Sequence, residues 1–193
     1  MGFIPDGNRR WAEARGGPRR DGYAAGIAPG LRLLELCRDL AIREVSIYGF
    51  TKENTRRPPD QVRAFREACV EFAARAMEQG AALLVIGDQA SRLFPAALRP
   101  HTGERSKGSI KVNLLVNYGW RWDLASRRPR SGQASRIDLV VRWGGRRRLS
   151  GFLPLQCAYA DIYVLDALWP DMEPAQFLEA LRWYEKQDVT LGG

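Results

Sequence analysis

The chain has 193 residues, of which 45% are apolar, and it carries a formal net charge of +8 with a sequence pI of about 9.9. This length and composition predict a single domain, residues 1–193, with an ordinary hydrophobic core. No apolar stretch reaches the length of a bilayer span, and the N-terminus lacks the layout of a secretory signal, so we expect a cytoplasmic protein. Three scattered cysteines without a CxxC pair favour free, mostly buried thiols over a disulfide framework or a zinc site.

The positive charge comes almost entirely from arginine rather than lysine. The guanidinium group is a planar fork that pairs with two phosphate oxygens, so this composition favours polyanionic partners. Nucleic acid, an anionic membrane surface and small phosphorylated substrates all fit that description. Charge alone does not choose among them.

Taken in chain order, apolar runs alternate with helical patterns. Runs rich in Val, Ile and Leu predict six strands, at residues 1–5, 44–49, 82–87, 111–117, 137–142 and 161–165. Pro29 and Pro59 stand where a first-turn proline belongs, before predicted helices at 31–40 and 62–79. Nearly continuous apolar strands indicate a sheet that is covered on both faces. The alternation therefore predicts an α/β fold, with a mostly parallel six-stranded sheet flanked by helices.

The second of these helices carries an apolar stripe. Its members recur at steps of three and four residues: Val62, Phe65, Cys69, Phe72 and Ala76. Such a stripe packs on the sheet, lines one wall of a pocket for a lipid chain, or does both, and the sequence leaves these readings open. The polar, basic segment 126–136 is broken by Pro and Gly, which predicts an exposed loop.

Unusual polar residues follow four of the predicted strands. Asp6 follows the first strand, GFTKENTRRP (49–58) the second, NYGWRWD (117–123) the fourth, and RWGGRRRLS (142–150) the fifth. Each alone has a plain reading as a turn, a cap or a solvated face. Ligands of open parallel sheets bind beyond the carboxyl ends of the strands. We therefore expect these four segments to converge on one rim of the sheet and form a binding site.

The first of these segments, FIPDGNRRWAE from Phe3, joins a strand to a helix start. One carboxylate, Asp6, is followed by Asn8, Arg9 and Arg10 in the predicted first helical turn. A single acid surrounded by positive potential suits a metal-bound phosphate, because magnesium needs few protein carboxylates when phosphate oxygens complete its shell.

These motifs resemble a known family. The segments PDGNRRWA, RRDGYAAG, YGFTKENTRRP, VNYGWRWD, VVRWGGRRRLSGFLPLQCAYADIY and LWPD are similar, in order and across nearly the whole chain, to the cis-prenyltransferases, the undecaprenyl diphosphate synthase family. The resemblance implies the fold of that family and a Mg²⁺-dependent enzyme. Such an enzyme joins isopentenyl diphosphate to dimethylallyl, geranyl or farnesyl diphosphate, forms a cis double bond and releases pyrophosphate. It also implies a homodimer, with peripheral membrane contact left open.

The resemblance also implies roles for individual residues. Catalysis would belong to Asp6 and Asn54, and metal binding to Asp6 and Asp161. The residues implied in substrate binding are Gly7, Asn8, Arg9, Arg10, Trp11, Arg19, Tyr23, Phe50, Thr51, Arg57, Arg142, Arg148 and Ser150. Those from Gly7 to Arg57 would surround the allylic diphosphate or close over the substrates, and the last three would hold the diphosphate of isopentenyl diphosphate. Magnesium and guanidinium groups stabilise the charge that grows on a departing diphosphate, which agrees with these roles.

Several positions depart from the family pattern. Tyr23 stands where histidine is common, Asp161 is one methylene shorter than the usual glutamate, and Thr55, Trp120 and Arg146 replace a frequent tryptophan, glycine and glutamate. The C-terminal QDVTLGG stands where a basic RRFGG is common, and the sole histidine, His101, matches no catalytic position and is expected at the surface. The stretch between NYGWRWD and RIDLVVRW is shorter than in long-chain members, which favours a short product.

Three other functions remain open at this point. One is irregular, lavandulyl-type coupling of two allylic diphosphates. Another is a non-catalytic subunit of a heteromeric prenyltransferase, although the presence of Asp6 argues against it. The third is binding of nucleic acid or an anionic membrane through the basic runs at 127–130 and 146–148. Because we find no nucleic-acid module, we expect no nucleic-acid partner.

Overall fold

The computed structural model describes residues 1–188 and contains one sheet of six strands. The strands are β1 (Gly2–Ile4), β2 (Glu44–Tyr48), β3 (Ala81–Ile86), β4 (Ile110–Leu115), β5 (Leu139–Arg142) and β6 (Asp161–Val164). Their order across the sheet is β3-β4-β2-β1-β5-β6, and every described pairing is parallel. All six predicted strands are confirmed with small shifts at their ends, and so is the predicted fold class.

Six α-helices lie within residues 1–188, and the last of them follows β6. They are α1 (Asn8–Ala14), α2 (Asp21–Ala25), α3 (Ile27–Asp39), α4 (Pro59–Glu78), α5 (Trp120–Asp123) and α6 (Pro174–Tyr184), with short 3₁₀ turns at Glu53–Arg56, Ala96–His101 and Trp169–Asp171. Pro59 opens α4 and Pro29 lies in the first turn of α3, as predicted, because a helix leaves its first N–H groups unpaired. None of the helices within residues 1–188 combines the length and apolar character needed to cross a bilayer.

The two faces of the sheet are covered differently. Alternate strand residues bury against α3, α4 and α6 on one face, which includes Phe3, Val45 and Leu83. On the opposite face Ile4 and Leu84 pack with side chains of the segment 118–160, most of which is not helical. Because both faces are covered, the strands are apolar in nearly every position, as the sequence indicated.

The predicted exposed loop at 126–136 contains one buried anchor. Ser131 is fully buried, and its backbone N–H and hydroxyl both donate to the carboxylate of Asp123, at 2.8 and 2.7 Å. The Tyr118 hydroxyl donates to the same carboxylate at 2.8 Å, and the Gln156 amide donates to Ser131. The rest of the loop is largely exposed, but this network of hydrogen bonds ties it to α5 and to the segments after β4 and before β6, which the polar composition alone did not reveal.

Candidate active site at the carboxyl rim of the sheet

A large polar cavity opens where three neighbouring strands end. β2, β1 and β5 are adjacent in the sheet, and the segments that follow Tyr48, Ile4 and Arg142 meet at this rim. The cavity has a volume of about 490 Å³. The predicted convergence is therefore correct for three strand ends. It is wrong for NYGWRWD, which follows β4 and does not line the cavity, because β4 lies on the far side of β2.

Positive charge dominates this cavity. Seven arginines line it: Arg9, Arg10, Arg19, Arg57, Arg142, Arg146 and Arg148. Among residues 1–188, three carboxylates accompany them, those of Asp6, Glu13 and Glu53. Within residues 1–188 the guanidinium groups of Arg9, Arg146 and Arg148 form no hydrogen bond or ion pair. Such an arrangement attracts a polyanion and leaves donors available to bind it.

Asp6 and Arg142 form the central ion pair. The Arg142 guanidinium donates to Asp6 Oδ2 at 2.8 Å, to the Ser150 hydroxyl at 3.0 Å and to the backbone carbonyl of Arg148. Arg142 is 4% exposed, whereas Asp6 is 35% exposed, so the carboxylate faces the cavity from a buried support. Its second oxygen lies 3.6 Å from Arg10. The pair therefore fixes Asp6 while leaving it accessible from the cavity.

The start of α1 brings the backbone close to this pair. Gly7 has a φ of 112°, and a Cβ there would lie 3.1 Å from the backbone of Leu168, so the turn requires glycine. Arg10 donates to the carbonyl of Gly144 at 2.8 Å, which links α1 to the segment after β5. The Asn8 amide donates to Pro5 at 3.1 Å, while its buried Oδ1 finds no partner among the described residues.

Arg57 is held by an aromatic group at the cavity wall. Its guanidinium donates to the Tyr23 hydroxyl at 2.9 Å and lies 5.7 Å from the ring of Phe65, on which Tyr23 stacks at 4.4 Å. Burial lowers the pKa of Arg57, and nearby Arg9 acts in the same direction, although the Tyr23 contact opposes both. Tyr23 thus supports an arginine at the cavity wall.

The segment after β2 closes one side of the cavity. The side-chain oxygen of Asn54 accepts from the backbone N–H of Thr51 at 3.0 Å, and both residues line the cavity. Lys52 forms a 2.7 Å ion pair with Asp88, and the Lys52 N–H donates to the carbonyl of Tyr118 at 2.8 Å. NYGWRWD therefore supports the loop rather than lining the cavity.

A narrow apolar cavity of about 60 Å³ adjoins the polar one, and we call it the apolar slot. Six residues line both cavities: Pro5, Asn8, Tyr23, Tyr48, Gly49 and Phe65. The remaining lining of the slot comes from Phe3, Gly26, Ile27, Gly30, Leu33, Ile47, Ala68, Cys69, Phe72, Leu114 and Trp169. Three members of the predicted α4 stripe, Phe65, Cys69 and Phe72, are among these residues, so the stripe packs on the sheet and lines a cavity as well.

Thirteen of the sixteen predicted site residues line the polar cavity. They are Asp6, Gly7, Asn8, Arg9, Arg10, Arg19, Tyr23, Thr51, Asn54, Arg57, Arg142, Arg148 and Ser150. Trp11 does not, because its indole N–H donates to Asp171 at 2.7 Å on another side of α1. Phe50 does not line it either, because its fully buried ring packs edge-on against Phe65 at 5.6 Å.

The predicted pairing of Asp161 with Asp6 in a metal site is not supported within one chain. β6 begins at Asp161, which pairs with Leu139, whereas Ile4, just before Asp6, pairs with Arg142. Three strand residues span about 10 Å, so Asp161 lies at the amino end of the sheet and Asp6 beyond its carboxyl end. Nor, among residues 1–188, do three His, Cys, Asp or Glu side chains lie close enough together to hold a metal ion.

Eight residues that line the polar cavity are not among the sixteen predicted site residues: Ile4, Pro5, Glu13, Tyr48, Gly49, Glu53, Phe65 and Arg146. Glu13 forms a 2.6 Å ion pair with Arg19, and its spacing of four residues from Arg9 on α1 was a usable signal. Tyr48, whose hydroxyl donates to the Ser150 carbonyl at 2.9 Å, ends β2 at the rim. Glu53 lies in the segment 49–58 that was expected at the rim, and Phe65 belongs to the apolar stripe, so the sequence indicated their regions without assigning them to the site.

Two other predictions have different outcomes. His101 ends a 3₁₀ turn and does not line the polar cavity, as expected. The altered C-terminal tail falls largely in residues 189–193, which lie outside the described residues.

Comparison with known proteins decides the family. A family model described as "Putative undecaprenyl diphosphate synthase" matches residues 4–135 and 127–192. The chain belongs to this family of prenyltransferases. The two matched stretches overlap at residues 127–135. This overlap falls in the segment after NYGWRWD that the sequence analysis described as shorter than in long-chain members.

Relatives in the undecaprenyl diphosphate synthase family match along the whole chain. A ditrans,polycis-undecaprenyl-diphosphate synthase ((2E,6E)-farnesyl-diphosphate specific) of Pseudomonas aeruginosa is 31% identical over 226 residues, covering 100% of this chain and 89% of the relative. An isoprenyl transferase of Leptospira interrogans is 29% identical over 228 residues, covering 100% and 94%. Both alignments are longer than this chain, so both relatives carry insertions.

The fold is also that of a solved relative. The crystal structure of lavandulyl diphosphate synthase from Lavandula x intermedia, in complex with dimethylallyl diphosphate, matches with a TM-score of 0.86. It is 21% identical, and the match covers 100% of this chain and 97% of that one. This likeness establishes the shared fold.

Proposed function

We propose that this chain is a prenyltransferase that condenses isopentenyl diphosphate with an allylic diphosphate, forms a cis-prenyl diphosphate and releases pyrophosphate. The observation that carries this proposal is the junction of two cavities. One is lined by seven arginines around Asp6, and the other is an apolar slot that opens beside them. A substrate with a diphosphate head and a hydrocarbon tail matches both in shape and in charge.

The chemistry follows from these groups. The allylic carbon–oxygen bond breaks and its electron pair leaves with pyrophosphate, whose growing negative charge the arginines stabilise. The double bond of isopentenyl diphosphate supplies the electron pair of the new carbon–carbon bond. The proton lost from its C2 goes to the released pyrophosphate. Aromatic side chains at the junction, Tyr23, Phe65 and Tyr48, exclude water from the allylic carbons, which limits hydrolysis.

The arginines come from two parts of the chain, which suits two diphosphates. Arg9, Arg19 and Arg57 come from α1 and the segments after α1 and β2, whereas Arg142, Arg146 and Arg148 come from the end of β5 and beyond. We assign the first group to the allylic diphosphate and the second to isopentenyl diphosphate. Binding both substrates side by side supplies the orientation that a carbon–carbon bond requires.

The residues at this rim fit a magnesium ion that binds one protein carboxylate and takes further ligands from the oxygens of a diphosphate. Magnesium is held by one or two carboxylates together with substrate phosphates. Asp6 offers such a carboxylate, and its side chain is 35% exposed where it lines the polar cavity. A magnesium ion bound there would add positive charge against the departing pyrophosphate. Asp161 takes no part in this assignment because it lies at the other end of the sheet.

Replacing Asp6 tests the proposal. Asp6→Asn keeps an acceptor for Arg142 but removes the charge, so we expect kcat for prenyl transfer to fall about 10²–10³-fold. The measurement uses labelled isopentenyl diphosphate, Mg²⁺ and an allylic diphosphate, with thermal unfolding to verify the fold. Asp138→Asn is the control, because it removes a carboxylate from the exposed pair with Arg136, 3.1 Å away. Unchanged turnover in Asp6→Asn would contradict the assignment.

The same assay separates the other functions. Coupling with dimethylallyl diphosphate alone, without isopentenyl diphosphate, would favour irregular condensation. No turnover by the purified chain with any substrate would favour a non-catalytic subunit. The cytoplasmic location, the homodimer and peripheral membrane contact stay predictions from the sequence and the family resemblance.

A further inference from the structure

The apolar slot is much smaller than the polar cavity that it adjoins. Its volume is about 60 Å³, against about 490 Å³ for the polar cavity. An apolar cavity that holds one benzene molecule, with six carbons, measures about 150 Å³. The slot is therefore matched to a short hydrocarbon tail that is partly inserted, and a chain of ten or fifteen carbons exceeds it severalfold.

Close packing of α4 on α3 closes the slot away from the rim. A Cβ built on Gly30 of α3 would lie 2.8 Å from the ring of Phe72 and 3.6 Å from the indole of Trp169, so both rings lie directly on the helix backbone. Two contacts hold the Trp169 indole in place. Its N–H donates to the Gly26 carbonyl at 2.9 Å, and its ring packs edge-on against Trp143 at 4.9 Å. These contacts place two aromatic rings against α3 at Gly30 and narrow the slot there.

Phe72 is the part of this barrier that one substitution can remove. Phe65 stands at the mouth of the slot, and Phe72 lies seven residues along α4, about two helical turns further in. Unlike the Trp169 indole, the phenyl ring is held by packing alone. Its truncation would extend the slot into the space between α3 and α4 without removing a hydrogen bond.

We infer that the apolar slot, closed by Phe72, restricts the allylic substrate of the proposed reaction to a single isoprene unit, as in dimethylallyl diphosphate. The inference rests on the proposed function and adds the substrate class to it. One condensation then gives a ten-carbon diphosphate. Further elongation would require this product to bind again with two isoprene units in the slot, so synthesis stops there.

A panel of allylic diphosphates tests the substrate class. The intact protein is incubated with labelled isopentenyl diphosphate, Mg²⁺ and dimethylallyl, geranyl or farnesyl diphosphate, and the products are sized by chromatography. We expect kcat/KM for dimethylallyl diphosphate to exceed that for farnesyl diphosphate by at least about 100-fold, because tight apolar pockets discriminate strongly against added carbons. A ten-carbon product should dominate.

Phe72→Ala tests the position of the barrier. It should raise the ratio of kcat/KM for geranyl over dimethylallyl diphosphate by at least about tenfold and lengthen the product. Phe94→Ala is the matched control, because it removes the same atoms from the same buried cluster without touching the slot. Phe72→Leu is the smaller substitution should the alanine variant fail to fold, and the panel on the unaltered protein does not depend on either variant.

Binding measurements separate the inference from the proposed function. Calorimetric titration with thiolodiphosphate analogues of the three allylic substrates reports affinity without turnover. If farnesyl diphosphate matched dimethylallyl diphosphate in kcat/KM, or its analogue matched in affinity, the inference would be overturned and the proposed function would stay intact. Selective binding of the dimethylallyl analogue with no turnover of any substrate would contradict the proposed function. Neither binding nor turnover would overturn both.

Discussion

Arg142 brings a full positive charge into the rim although only 4% of its side chain is exposed. Burying a guanidinium group is unfavourable unless acceptors surround it, and Arg142 has the Asp6 carboxylate, the Ser150 hydroxyl and the Arg148 carbonyl. The same contacts hold Asp6, whose other oxygen faces the cavity. At the scale of single residues, the ion pair thus stabilises the fold and also positions the carboxylate assigned to catalysis.

Glu44 plays a purely structural part at the opposite end of the sheet. Its carboxylate accepts from Asn113 at 2.8 Å and from the N–H and hydroxyl of Ser135 at 2.9 and 2.7 Å. Burial by itself would raise the pKa of this carboxyl, but the hydrogen bonds from Ser135 and Asn113 and the charge of Arg105 outweigh it, and the pKa is lowered. The ionised form therefore stabilises the folded chain.

We expect Glu44→Gln to lower the free energy of unfolding by about 1–3 kcal/mol at neutral pH, because hydrogen bonds to a charged group are lost. The folded pKa lies below the unfolded value of about 4.3, so the contribution is present above that value. It disappears as the pH falls through the folded pKa. Urea denaturation over a pH series should show the two proteins converging in acid.

Glu35→Gln is the control for this pH effect, because Glu35 is exposed on α3 and should show little difference at any pH. If the difference in free energy of unfolding between Glu44→Gln and the unaltered protein stayed the same in acid, lost packing rather than lost charge would explain it.

At the scale of elements, the loop after β2 depends on contacts with its neighbours. Lys52 pairs with Asp88 at 2.7 Å, Thr51 forms an isolated β-bridge with Tyr118, and the Asn117 amide donates to the Asp88 carbonyl at 3.1 Å. These contacts tie the loop that carries Asn54 and Arg57 to the segments after β3 and β4. The loop is therefore held near the cavity by parts of the chain that do not line it.

We predict that Asp88→Asn loosens this loop. The ion pair is partly exposed and contributes up to about 1 kcal/mol, so opening of the loop should become up to about fivefold more frequent. Limited trypsin digestion after the exposed Arg56 measures this change as a faster cleavage rate with an unchanged thermal midpoint. Asp39→Asn, at the exposed end of α3, should leave the rate unaltered. Equal cleavage of Asp88→Asn and the unaltered protein would rule out the anchoring role.

The whole molecule buries three thiols in two separate clusters. Cys37 and Cys69 pack in the cluster under α3 and α4, and Cys157 packs on the other face of the sheet. Burial raises the pKa of each thiol to about 12. The reactive thiolate is therefore scarce at mildly alkaline pH, and a thiol-modifying reagent in solution cannot reach the buried sulfur atoms of the folded chain.

We expect none of the three thiols to react with a disulfide reagent until the chain unfolds, and all three to react together in guanidinium chloride. Absorbance of the released thiolate measures both rates. Ser126→Cys supplies an exposed thiol that should react at once in the folded protein. Rapid reaction of a native thiol without denaturant would mean that its cluster opens locally, well below the free energy of global unfolding.

Much of this architecture was predictable because it depends on local patterns. Strands buried on both faces are apolar throughout, so runs such as that of β3 mark a parallel sheet in the sequence itself. Polar segments after strand ends predict a rim, since parallel strands direct their carboxyl ends to one edge. The family motifs supplied the residues, and the polar cavity contains thirteen of the sixteen.

Three features of the structure depend on strand order and burial, which local sequence patterns do not encode. NYGWRWD follows a strand end like the others, but the strand order puts β4 beyond β2 and away from the cavity. Asp161 lies within a family motif in the sequence, yet it begins β6 at the amino end of the sheet, so its pairing with Asp6 is not supported within one chain. Ser131 belongs to a polar, glycine-containing loop and is nonetheless buried by its bonds to Asp123.

By itself, the sequence determined the parallel sheet, the proline-initiated helices and a basic rim around Asp6, because hydrophobic periodicity and residue chemistry act over a few positions. Only the tertiary structure decided that Arg142 supports Asp6 from 136 residues away and that Phe72 closes the slot against Gly30. Strand order and helix packing bring distant residues into contact, and no local pattern encodes the volume left between them.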